Sequence, residues 1–168
     1  MNLFKLSAVV IGFIALLPGL VGCSSDSTPS ASNIITKDAS QFVLTIDDFP
    51  PGWTRRPAGA AAHAGAQSAY GSYFYNWSAY PAYPSVVQDV VAVYPSIASA
   101  HQVYLGEKPQ DVSLEYPKIG DECFLNSAIP INQLLVFRKN NVVVWVWLQQ
   151  DYVDDIKPYA VAIQKKIY

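Results

Sequence analysis

The chain has 168 residues, with 11 Lys and Arg against 13 Asp and Glu and a formal net charge of −2. No block of basic residues is present, which excludes nucleic acid as a partner. Aromatic residues at 13% exclude a disordered polymer, and only two cysteines exclude a disulfide framework.

Met1 to Lys5 is short and carries one positive charge. Leu6 to Leu17 is nearly unbroken apolar sequence, and Pro18-Gly19 then interrupts it. A charged start, a greasy middle and a small residue before a cut is the layout of a secretory signal. The run falls short of the ~20 residues that a membrane span needs. The ending Leu20-Val21-Gly22-Cys23 resembles the lipobox of bacterial lipoproteins at all four positions. The resemblance implies that the Cys23 thiol takes a diacylglyceryl group, that a peptidase cuts after Gly22, and that the new terminus is acylated. A thiolate is the nucleophile that such a transfer needs, and several acyl chains hold more firmly than one, at roughly 0.8 kcal/mol per buried CH₂. The expected organisation is a signal peptide over 1–22, a lipidated Cys23 with a Ser-rich tether through residue 40, and one globular domain over 41–168. A relaxed tether of that length spans on the order of 20–25 Å. Such a protein sits on the cell membrane or the outer membrane, lipid-anchored, with its domain outside the cytoplasm.

Phe42 to Trp53 reads as a short extended piece running into a turn, capped by Asp47 or Asp48 and ended by Pro50-Pro51-Gly52. Trp53 to Arg56 is a short strand, and Gly59 to Gln67 is an exposed loop around His63. Tyr70 to Trp77 is an aromatic strand, and Tyr80 to Pro84 a proline loop. Val86 to Tyr94 is a strand partly covered on both faces. Ser96 caps a helix in which Ile97, Ala100 and Tyr104 repeat at helical spacing and Gly106 marks the end. Asp121 to Asn126 is the next strand. Leu134 to Phe137 and Val142 to Leu148 form a hairpin through Lys139-Asn140-Asn141, because Asn tolerates positive φ. Both faces of Val142 to Leu148 are apolar, which places this hairpin at the sheet centre. Val153, Ile156, Ala160, Ile163 and Ile167 make one stripe on a last helix. Pro158 must lie in its first turn, so the helix starts near Asp154. Val90 to Tyr104 and Val142 to Tyr159 are two strand–helix units on one sheet. The expected fold is α+β, a mainly antiparallel sheet of about six strands with two packed helices.

Three segments carry a further resemblance: Leu44-Thr45-Ile46-Asp47-Asp48-Phe49-Pro50-Pro51-Gly52-Trp53, Ile119-Gly120-Asp121-Glu122, and Val136 to Val144 with its Phe137-Arg138-Lys139-Asn140 turn. Together they resemble a group of exported prokaryotic lipoproteins with the Mog1/PsbP-like α/β sandwich. The group pattern usually has Gly where this chain has Asn140, and Ala where it has Cys123. No catalytic residue comes with the resemblance.

The residues that could carry chemistry are few. His63 and His101 lie in separate segments, and no Gly-x-Ser-x-Gly elbow accompanies them. No metal site is expected: His and Cys form no cluster, and helix capping accounts for Asp151, Asp154 and Asp155. The pairs Asp47/Asp48 and Asp121/Glu122 read as turn and edge residues, since neighbours on a strand face opposite ways. Cys123, between Glu122 and Phe124, reads as a buried, unreactive thiol. The one functional hint is aromatic. Tyr73, Tyr75 and Trp77 share a strand face within a cluster that also holds Tyr70, Tyr80 and Tyr83. They either cover the sheet beneath a helix or form a face that grips a protein, a sugar or a lipid head group. The expected function is a membrane-anchored, non-catalytic binding or accessory module needing no cofactor. Its partners are the membrane, through lipid on Cys23, and a protein or glycan. The alternative is an envelope-acting hydrolase with a site assembled from dispersed residues.

Overall fold

Val142 to Leu148 places a β-branched, aromatic or aliphatic side chain at every position, a run that suits a strand covered on both faces. The computed structural model describes residues 34–77, 84–110, 112–129, 132–149 and 155–168, and it puts this run inside a six-stranded sheet. The strands are β1 (Thr54–Ala60), β2 (Ser68–Asn76), β3 (Ser85–Val93), β4 (Glu122–Ile129), β5 (Asn132–Lys139) and β6 (Val142–Gln149). Every neighbouring pair is antiparallel, in the spatial order β1-β2-β3-β6-β5-β4. Two helices pack on the sheet, α1 (Ile97–Glu107) and α2 (Lys157–Lys166). The α+β fold expected from the sequence is the observed one.

The helices cover opposite faces. Ala160, Ile163 and Ile167 from α2 and its boundary join Val87, Val91, Phe137 and Val144 in one core. Ala100 and Tyr104 from α1 join Ala92, Phe124, Val136, Val143 and Trp145 in the other. Each fully buried aliphatic chain contributes about 2 kcal/mol, which outweighs the weak intrinsic preference of so short a helix. The strand–helix pairs β3–α1 and β6–α2 therefore use one face each, although β3 and β6 are sheet neighbours. Ser96 caps α1 by accepting from the Ser99 N–H at 3.0 Å.

Several boundaries differ from the sequence reading. Among the described residues, burial already includes positions ahead of residue 41: Ile35, Ala39, Phe42, Val43 and Leu44 are all buried. This segment is a strap laid on the α2 face, with 3₁₀ turns at Ala39–Gln41 and Ile46–Asp48 in place of a simple extended piece. β1 runs on to Ala60, past a bulge between Arg56 and Gly59 that contains Pro57. Proline cannot donate to a ladder, and an edge-strand bulge accommodates it. Gly106 lies within α1 rather than beyond it. α2 starts at Lys157, three residues later than Asp154, because Pro158 needs the first turn and the Asp155 carboxylate already accepts from the Lys157 N–H at 3.0 Å. Asp151, Val153 and Asp154 lie outside the described residues, as do Tyr80, Tyr83 and everything before Ile34, Cys23 included.

Among the described residues, positive φ occurs at Gly52, Gly65, Gly120 and Asn140. Asn140 has φ 54°, as the hairpin reading requires. Gly120 has φ 67°, and a Cβ there would stand 2.4 Å from the Arg138 carbonyl oxygen.

Candidate binding cleft

Cross-strand register builds the site. On the face that carries α1, Arg56 pairs with Tyr73, Tyr73 with Gln88, Gln88 with Trp147, and Trp147 with Leu134. The next row outward runs Thr54, Tyr75, Val86, Gln149, Asn132. The next row inward, Gly71, Val90, Trp145, Val136 and Phe124, includes the core under α1. The helix thus lands on one half of its face. The other half forms an open cleft of about 450 Å³ lined by Tyr73, Val86, Gln88, Leu134, Trp147, Asn132, Gln133, Leu148 and Gln149. That volume falls in the range of small-ligand sites.

Tyr73 and Tyr75 are half-buried beside this cleft rather than sealed beneath α1. Their ring centroids lie 6.5 Å apart, and the exposed Arg56 guanidinium stands 4.9 Å from the Tyr73 ring and 5.8 Å from Tyr75. Trp77 lies just past the end of β2, 54% exposed, and does not line the cleft. Trp147 was missed by sequence reasoning, which read both faces of Val142 to Leu148 as apolar and central to the sheet. The amides at Gln88 and Gln149, breaking otherwise apolar strands, were the available signal.

Among the described residues, the cleft walls are aromatic, aliphatic and amide groups. Such groups stack, exclude water and exchange neutral hydrogen bonds; they do not supply a nucleophile or a tuned acid.

The other candidates are tied into structure. His63 stacks on Trp145 with centroids 4.3 Å apart and shares a 2.6 Å hydrogen bond with the Tyr94 hydroxyl, so its loop packs on the sheet instead of standing free. His101 lies 2.8 Å from Glu122. Arg138 donates from Nε to Glu122 at 2.6 Å and from Nη1 to Asp121 at 2.9 Å, so the two carboxylates converge on one guanidinium instead of facing apart. Burial would raise Glu122, but the bonds from Arg138 and His101 outweigh it and hold its carboxyl below the ordinary range. Asp48 accepts from the Thr45 N–H at 2.7 Å and from Lys166 Nζ at 2.6 Å. Burial opposes its ionisation too, yet these bonds lower its pKa. Cys123 is buried and unpaired by any disulfide, and burial pushes its thiol up to about 12. Among the described residues, no three His, Cys, Asp or Glu side chains gather where they could hold a metal ion.

The sequence reading gave Asp89 no role beyond interrupting an apolar strand. It projects from β3 to the α2 face and is fully buried. One carboxyl oxygen accepts from the Ser72 hydroxyl; the other has no hydrogen-bond partner among the described residues. Burial pushes its pKa up to about 7, against the weaker pull of Ser72, the Leu44 backbone, Lys166 and Arg55.

Comparison with family models, with curated proteins and with solved structures finds no match to this chain. Among the described residues, no helix is long and apolar enough to cross a membrane.

Proposed function

We propose that the protein is an exported lipoprotein, anchored through diacylglycerol on Cys23, whose domain is a non-catalytic binding module with the Tyr73–Trp147 cleft as its site. One observation carries the binding reading: an accessible hollow on a sheet face, walled by aromatic and amide side chains that hold ligands but do not attack them. The signal layout and the Leu20-Val21-Gly22-Cys23 ending support the anchor. Kinship with exported Mog1/PsbP-like lipoproteins belongs to the same proposal. It is supported by the three quoted segments and by an antiparallel sheet with one helix on each face.

Two measurements test this. Mass spectrometry of the mature N-terminus should show a chain starting at a lipidated Cys23, and Cys23→Ser should move the protein from the membrane to the soluble fraction. An unmodified Cys23, or a Cys23→Ser protein bound as tightly as before, removes the anchor. For the cleft, a photo-crosslinker at Gln88 should capture a partner molecule that the same group at Tyr116, an exposed position elsewhere, does not. Equal capture at both positions removes the cleft as the site.

A further inference from the structure

We infer that the cleft between Tyr73 and Trp147 is a subsite for an uncharged oligosaccharide. In it, a sugar ring rests on the Trp147 indole and its hydroxyls meet the amides of Gln88, Asn132 and Gln149. The inference rests on the reading of the cleft as a binding site and names the ligand class.

The lining decides the charge of the occupant. Among the described residues it contains no Asp, Glu, Lys, Arg or His, and the neighbouring Arg56 is already engaged over the Tyr73 and Tyr75 rings, so the described walls offer a charged ligand little compensation for leaving water. A cationic head group is disfavoured as well, because the faces of Tyr73 and Tyr75 that could cradle it already meet the Arg56 guanidinium. An acyl chain fits no better. Gln88, Asn132 and Gln149 are exposed amides, and covering them with hydrocarbon would strip their hydrogen bonds to water without replacement.

A neutral sugar matches both kinds of wall. One face of a pyranose presents C–H groups, which suit the electron-rich face of an aromatic ring. Its rim presents hydroxyls that both donate and accept, and a carboxamide is the uncharged side chain that does both in return. The register places these partners in order: Tyr73, Gln88 and Trp147 are consecutive partners across β2, β3 and β6. Strands lie ≈ 4.8 Å apart, so the two aromatic residues are about 10 Å apart at the backbone with an amide between them. That repeat suits a short chain of linked sugar rings laid across the strands rather than one monosaccharide.

The test uses the full-length lipidated protein in a detergent without a sugar head group. Maltohexaose, cellohexaose, mannohexaose and chitohexaose are titrated separately, with tryptophan fluorescence and calorimetry as readouts. At least one should bind. Trp147→Ala and Gln88→Ala should each weaken that binding by about tenfold or more, and Tyr116→Ala should leave it unchanged. Gln88 is exposed, so Gln88→Ala keeps the test valid if Trp147→Ala unfolds. No binding of any of the four by a folded protein overturns the inference, as does binding that both cleft variants leave intact. If the sugars fail but the crosslinker at Gln88 captures a protein selectively, the oligosaccharide reading falls and the cleft remains a site. If both fail, both readings fall.

Discussion

The side chain of Asn141 binds the main chain of Ile35 on both sides: its Oδ1 accepts from the Ile35 N–H at 2.6 Å and its Nδ2 donates to the Ile35 carbonyl at 2.9 Å. The same Nδ2 donates to the Tyr94 carbonyl at 2.6 Å. One fully buried amide thus fastens the strap to the β5–β6 turn and to the end of β3. Asn141→Ala should leave three buried backbone groups without partners and destabilise the domain by about 3 kcal/mol or more. Urea unfolding followed by tryptophan fluorescence measures it; a loss under 1 kcal/mol would show that the strap is held by its apolar contacts alone.

Asp89 should make the protein less stable as pH rises. Its pKa goes up from 3.8 to about 7 on folding, so over that window the native state holds a proton that the unfolded chain has released. The stability present below pH ~4 is then lost progressively up to about pH 7, by on the order of 4 kcal/mol. Asp48 and Glu122, held below the ordinary carboxylate range, act in the opposite sense, but at the acid end. Asp89→Asn should abolish the slope, matching the parent near pH 4 and exceeding it at pH 8. Unfolding curves at pH 4, 6 and 8 decide the point, and a parent that gains stability from pH 5 to 8 contradicts it.

Arg138 is 8% exposed and neutralises both Asp121 and Glu122. Arg138→Met would leave Glu122, itself only partly exposed, beside His101 alone. A loss of about 1–2 kcal/mol is expected, since Arg138 is buried but water still screens the partly exposed carboxylates it leaves behind. Replacing Glu122 by Gln in the same background should recover part of the loss. Thermal melts of the single and double variants provide the comparison.

Gly120→Ala should cost about 3 kcal/mol, because the new methyl would collide with backbone rather than with a flexible side chain and the residue would keep a left-handed φ. The melting temperature should fall by several degrees, whereas Gly106→Ala in α1, with open space around its Cβ, should leave it unchanged or raise it.

The sheet and both helices were legible because their signals are local. The stripe Ile156, Ala160, Ile163, Ile167 states which side of its helix is buried, the unbroken apolar run Val142 to Leu148 states that both faces of its strand are covered, and the buried residues follow them. Asn140 likewise announces its turn. The strap was not legible, because what docks it is Asn141, 106 positions from Ile35. The cleft was half legible. Aromatic density singled out Tyr73 and Tyr75, but whether a helix covers them depends on where α1 lands, and its resting place on Val143 and Trp145 is a tertiary fact. Trp147 and Gln88 join Tyr73 through register across strands far apart in sequence, a relationship no window along the chain contains. Asp89 stayed hidden for a similar reason: a single carboxylate in a valine run looks like a solvent-facing position until the strap is laid over it.

β6 is eight residues long and has the Asn141 clasp before its first residue and the Gln149 wall of the cleft at its last. Extended chain of that length covers about 24 Å. The strap's Ile35 is therefore fastened at one end of the sheet, and the aromatic hollow lies toward the other. Under the Cys23 anchor proposed above, the tether would join the domain at the end of the sheet remote from the hollow, leaving that hollow the farther of the two from the attachment point.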